Sequence, residues 1–257
     1  MDYFRAIGFD GGQWLALGVC AFMVGATKTG VPGLGIMNVL LLAMCFQAKA
    51  STGILLPLLA FADLFAVAWY RRHARWGHVL RLLPWSLCGV ALGSVVVRFV
   101  SDLYLKPLIG VIVLAMLAIT FWREWKPSAD LRIPTSWQFA AGMGLTAGLS
   151  TQLANAAGPV MLIYLLAMRL PKHEFIGTGA WYFLIVNWLK MPLFIAEGRI
   201  TFDSLKSDLL VLPLVVLGAM AGIIILQKLP QKAFNNMAFG LETLGALYLT
   251  STIRLLF

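Results

Sequence analysis

Apolar residues run through this chain in ten blocks, five in each half, separated by short polar stretches. In the first half, blocks at 13–26 and 35–46 flank the stretch "TKTGVPGL", and longer blocks follow near 51–70, 79–100 and 103–122. The polar segment "REWKPSADLRIPTS", Arg123 to Ser136, separates the halves. The second half repeats the order: blocks at 137–149 and 159–168 are short, and those near 174–196, 208–227 and 235–256 are long. A helix rises about 1.5 Å per residue, so about 20 apolar residues cross a hydrocarbon layer and 12 to 14 reach roughly half-way. The long blocks predict transmembrane helices, since a barrel would need short alternating strands. Each short pair predicts two half-helices meeting at a break within the membrane.

The pattern therefore predicts an all-α membrane protein built from two repeats, 1–124 and 136–257, joined by a linker at 125–135. Each repeat holds a broken, re-entrant half-helix pair and three long transmembrane helices. Local motifs recur at an offset of about 126 to 130 residues. "STG" at 51–53 answers "GTG" at 177–179, and Pro84, Gly89 and Gly93 answer Pro213, Gly218 and Gly222. The glycine spacing places small residues on one helix face, which suits close helix packing.

Composition agrees with lipid as the solvent. Hydrophobic residues make up 60% and charged residues 12% of the 257, with a mean hydropathy of +0.85. A soluble domain carries about twice that charge. The net charge of +9 would suit nucleic acid, but the basic residues cluster at the ends of apolar blocks, where they set topology instead. Nucleic acid is thus not an expected partner. The basic turn holding Arg71, Arg72, Arg75 and Arg81 and the linker holding Arg123, Lys126 and Arg132 are expected to be cytoplasmic, with both termini outside. An odd number of crossings per half makes the repeats inverted, an arrangement common among secondary transporters. Cys20, Cys45 and Cys88 lie in apolar blocks without metal-ligand spacing, and His73, His78 and His173 read as interfacial. No metal, cofactor or catalytic group is expected.

Non-helical backbone at membrane depth survives only when it lines a cavity or is buried in protein. The first break offers Thr27, Lys28, Thr29 and Gly30, and the second offers Ser150, Thr151, Gln152 and Asn155. Gly30, Gly33 and Gly35 permit close approach, while Pro32 and Pro159 suit the first turn of the half-helix that follows. Two half-helix N-termini that converge form an anion site, to which Lys28 adds a formal charge. The plainer alternative is a pair of tight turns whose polar groups satisfy backbone. Three other charges, Asp63, Lys190 and Glu242, fall well inside apolar blocks, away from the block ends. Asp63 and Lys190 stand at similar depths and either pair with each other or leave Lys190 to face substrate. Glu242 either binds a proton, pairs with a base such as Lys106, or lies nearer an interface. The rival classes are an integral-membrane enzyme and a cargo-free assembly factor. Against the first, no HExxH, GxSxG or paired carboxylates occur; against the second, a scaffold has no need of two matched breaks.

The stretch "STQLANAAGPVMLIYLLAMRLPKHEFIGTGAWYFLIVNWLKMPLF" resembles the second-half signature of the sulfite exporter TauE/SafE family, also called toluenesulfonate uptake permeases. The matching positions are "NAAGP" at 155–159, "YLL" at 164–166, Lys172, "FIGT" at 175–178, and Asn187, Lys190 and Pro192. "GATKTGVPGLGIMNVLLL" is similar to the family's first break, although the family often has more glycine where this chain has Lys28 and Pro32. The resemblance spans essentially the whole chain. It implies secondary transport, usually outward, of sulfite, sulfoacetate or other organosulfonates across the bacterial inner membrane. Protons are the candidate second partner, and lipid surrounds the fold; neither exact substrate nor oligomeric state follows.

Overall fold

The computed structural model describes residues 8–33, 35–101, 111, 115, 136–230 and 232–234. Eight α-helices and one 3-10 turn are defined among them, with no strand. They are α1 (Gly11–Thr29), α2 (Gly35–Cys45), α3 (Ala48–Tyr70), the turn Arg71–His73, α4 (Trp76–Phe99), α5 (Trp137–Ala154), α6 (Gly158–Ala167), α7 (Lys172–Ala196) and α8 (Phe202–Lys228). The linker at 125–135, Lys106, Glu242 and the block near 235–256 lie outside the described residues. So does the block near 103–122, save Val111 and Ala115, which are helical.

Four helices, α3 with its following turn, α4, α7 and α8, are long and apolar enough to cross a membrane. Their outer faces carry Leu80, Leu92, Phe99, Leu209 and Leu217 exposed. Such a continuous apolar surface suits lipid and not water. This is a multi-pass helical membrane protein.

The helices start and stop for local reasons. Asp10 caps α1 by accepting from the Gln13 N–H at 2.7 Å, and Gln13 returns a bond to the Asp10 N–H. Thr201 and Ser204 form the same reciprocal box at the start of α8. The half-helices preceding the two breaks outrun their apolar blocks: α1 has 19 residues and α5 has 18. Thr29 and Ser150 bond back to the carbonyls of Gly25 and Ala147, so these polar residues continue the helix instead of ending it. Each break shrinks accordingly. Asn155 ends α5 in the left-handed region, with φ 54°, and the Ala156 N–H closes onto the Ser150 carbonyl. Pro159 occupies the first turn of α6 as expected. Pro32 does not occupy that position in α2: Gly33, at φ 100°, turns the chain before the helix begins at Gly35.

The principal packing pairs join opposite halves. α1 lies on α8, α5 lies on α4, and α3 crosses α7. This set of pairs is unchanged when the halves are exchanged. The matched glycines make it possible. A Cβ on Gly218 would strike the Phe22 carbonyl oxygen, and one on Gly89 would strike that of Leu145. Gly218→Ala is therefore expected to lower stability by about 1–3 kcal/mol through overpacking. Gly142→Ala, where nothing lies within 4 Å of the added carbon, should be neutral or stabilising. Thermal denaturation of both variants in one detergent checks this, and equal behaviour would refute the packing argument.

Candidate functional site

α3 and α7 meet at a polar contact in the bundle interior, where Asn187 Nδ2 donates to Asp63 Oδ2 at 2.7 Å. From the last turn of α1, Lys28 Nζ comes within 2.8 Å of Asp63 Oδ1 and 3.9 Å of the Phe183 ring centre. A cation at a helix C-terminus also meets the negative end of the helix dipole. Lys28 is thus not an unpaired charge, and Asp63 pairs with Lys28 and not with Lys190. Sequence spacing gave depth along the helices but not azimuth, and Asp63 faces Asn187, nearly one turn before Lys190.

Lys190 is fully buried and turns to the second break, donating to Thr151 Oγ1 at 2.9 Å and Asn155 Oδ1 at 2.7 Å. Among the described residues, no carboxylate forms an ion pair with it. Asn155 donates in turn to the Thr52 carbonyl at 2.8 Å, tying the α5 terminus to α3.

A third buried cation, Arg199, has no signal in the hydropathy pattern. It stands in the turn between α7 and α8, with Nε 3.0 Å from Glu197 Oε2 and Nη1 donating to the Gln152 carbonyl at 2.9 Å. Gln152 reaches Ser94 at 2.8 Å and Glu197 at 3.0 Å, so this network fastens the second break from the α7–α8 side. Gly53 leaves room for the Arg199 backbone, whose carbonyl a Cβ there would strike. The "EGR" triplet was visible as a charged pair around a glycine, but at the end of an apolar block it looks like an interfacial turn.

A cavity of about 890 Å³, counting space continuous with the exterior, opens between the breaks. Thr27, Lys28, Thr151, Asn155 and Asn187 give its polar lining, while Leu55, Leu59, Leu162, Leu165, Ile176 and Phe183 give apolar walls. Gly35 and Gly158, the first residues of α2 and α6, also border it. Both half-helix N-termini therefore adjoin this space.

The other sequence candidates serve packing. Thr29 Oγ1 donates to the Ala219 carbonyl at 2.7 Å, and its own carbonyl accepts from Tyr70 at 2.9 Å. Gly30 abuts the Gly222 backbone, and the Ser150 hydroxyl donates to the Ala147 carbonyl of its own helix. Lys172 donates to the Leu226 and Leu229 carbonyls at the end of α8. No cluster of three metal-ligating side chains occurs among the described residues.

Interrupted helices around a cavity with polar groups at the breaks and apolar walls, in a multi-pass helical membrane protein, are the construction of a membrane transporter. The model of the family described as sulfite exporter TauE/SafE matches residues 16–249. The chain belongs to that family. No curated protein and no solved structure matches it.

Proposed function

We propose that this protein is a secondary transporter that exports a small sulfur-containing anion, sulfite or an organosulfonate, from the bacterial cytoplasm. One observation carries the reading: around the breaks, the cations Lys28, Lys190 and Arg199 meet the carboxylates Asp63 and Glu197, while a further buried carboxylate, Asp208, lies on α8 and does not line the cavity. A buried charge without a counter-charge is costly, and an anion in the adjoining cavity supplies one. Thr27, Lys28, Thr151 and Asn155 line the substrate space, and Lys190 provides the field behind the last two. Thr29, Gly30, Ser150 and Gln152 hold the walls.

The exchange-symmetric helix pairing supports two repeats, 1–124 and 136–257, and the exposed Arg71–His73 turn supports a cytoplasmic placement of that end. Inversion of the second repeat follows from that placement and the crossing count. Energetics favour export without a co-substrate. A monoanion leaving a cell at 100 mV, inside negative, gains about 2.3 kcal/mol. That sustains roughly a fifty-fold gradient at about 1.4 kcal/mol per decade.

Counterflow in proteoliposomes tests the proposal. Labelled sulfite should accumulate transiently in vesicles preloaded with unlabelled sulfite or sulfoacetate, and a neutral sugar should not substitute. Absence of counterflow with sulfite, sulfoacetate, taurine and sulfate alike would overturn it.

A further inference from the structure

The proposed site contains a group that a bare anion does not satisfy. Asn187 lines the cavity, is 1% exposed, and has its amide nitrogen committed to Asp63 at 2.7 Å. That bond fixes the amide orientation, because the reverse would set two acceptors against each other. Its Oδ1 is buried with no hydrogen-bond partner among the described residues. An amide oxygen can only accept. Thr27 Oγ1, also on the cavity wall and also without a partner there, can donate or accept. Lys28, the charged member of the wall, can only donate.

Resting on the anion-transport reading above, we infer that Asn187 is a specificity-determining residue whose Oδ1 accepts a hydrogen bond from the substrate. The transported anion therefore carries a donor of its own. Two sources share that chemistry: a protonated oxyanion such as hydrogensulfite, and an organosulfonate with a hydroxyl or ammonium group near its head. A fully deprotonated oxyanion would bring oxygen lone pairs against Oδ1 and leave it unsatisfied. A donor on the ligand completes Oδ1 while the anionic oxygens take bonds from Lys28 and Thr27. Sites that hydrogen-bond a substrate hydroxyl discriminate strongly against the analogue lacking it, since the buried partner is then orphaned.

The test uses purified full-length protein, calorimetry and a matched pair of ligands, 2-hydroxyethanesulfonate and ethanesulfonate. The wild type should bind the hydroxylated member about tenfold or more tightly. A second arm uses sulfite on either side of its second ionisation: stronger binding on the acid side assigns the donor to the protonated oxyanion. Asn187→Leu should bring the ratio between the two sulfonates close to one, and Thr27→Val should retain it. Should Asn187→Leu not fold, the wild-type comparison decides alone. Equal wild-type affinity for both sulfonates, with no acid-side preference for sulfite, overturns the role of Asn187 and leaves the transport reading intact. Failure to bind either sulfonate or sulfite, together with absent counterflow, overturns both.

Discussion

Lys28→Met is expected to destabilise the protein by about 3–5 kcal/mol, the usual cost of removing one partner of a buried ion pair. The reason is Asp63, which is fully buried and would keep only the Asn187 amide as partner. Asp63→Leu should be comparably harmful, because it strands Lys28, whose side chain is only 9% exposed. The double variant should recover much of the loss, since a buried pair replaced as a unit by apolar side chains is often tolerated. Thermal or denaturant unfolding of the four proteins in one detergent gives the coupling energy. Additive losses would mean that the 2.8 Å contact contributes no coupling. Function should not recover with stability: the double variant removes charge from the cavity wall, and anion binding should remain weak.

Lys190→Met should act in the opposite way, sparing stability while weakening anion binding by about 10- to 100-fold. That range corresponds to roughly 1.5–3 kcal/mol, the Coulomb energy of two unit charges about 6–10 Å apart at an effective dielectric of about 20. The Lys190 partners are neutral, so the substitution removes an uncompensated buried charge and offsets the orphaning of Thr151 and Asn155. Both of those residues line the cavity, and the charge behind them acts through a medium of low dielectric. Calorimetry with sulfite, beside a melting curve, separates the two effects. A large fall in melting temperature with unchanged affinity would make Lys190 a structural strut.

Much of the architecture was legible because it depends on short-range periodicity. Runs of about 20 apolar residues force helices in lipid, where every backbone polar group must be satisfied internally. The breaks were visible because Gly, Pro and Asn cluster between apolar blocks that are too short to cross. The glycine spacings of 89/93 and 218/222 foretold close packing, and the backbone contacts of Gly89 and Gly218 bear it out. Thr27, Lys28, Thr151 and Asn155 do come together around one cavity.

What the sequence determined by itself was the solvent, the helical class, the placement of the two interruptions and the family resemblance, all set by local composition and spacing. Only the tertiary structure decided which charge meets which. Lys28 takes Asp63, Lys190 takes Thr151 and Asn155, and Arg199 leaves an apparently interfacial turn to lie buried beside Gln152. The physical reason is geometric. Partner choice among buried charges turns on helix azimuth and crossing, which arise from contacts between residues more than a hundred positions apart, such as Asp63 and Asn187. Hydropathy along the chain carries depth but not direction.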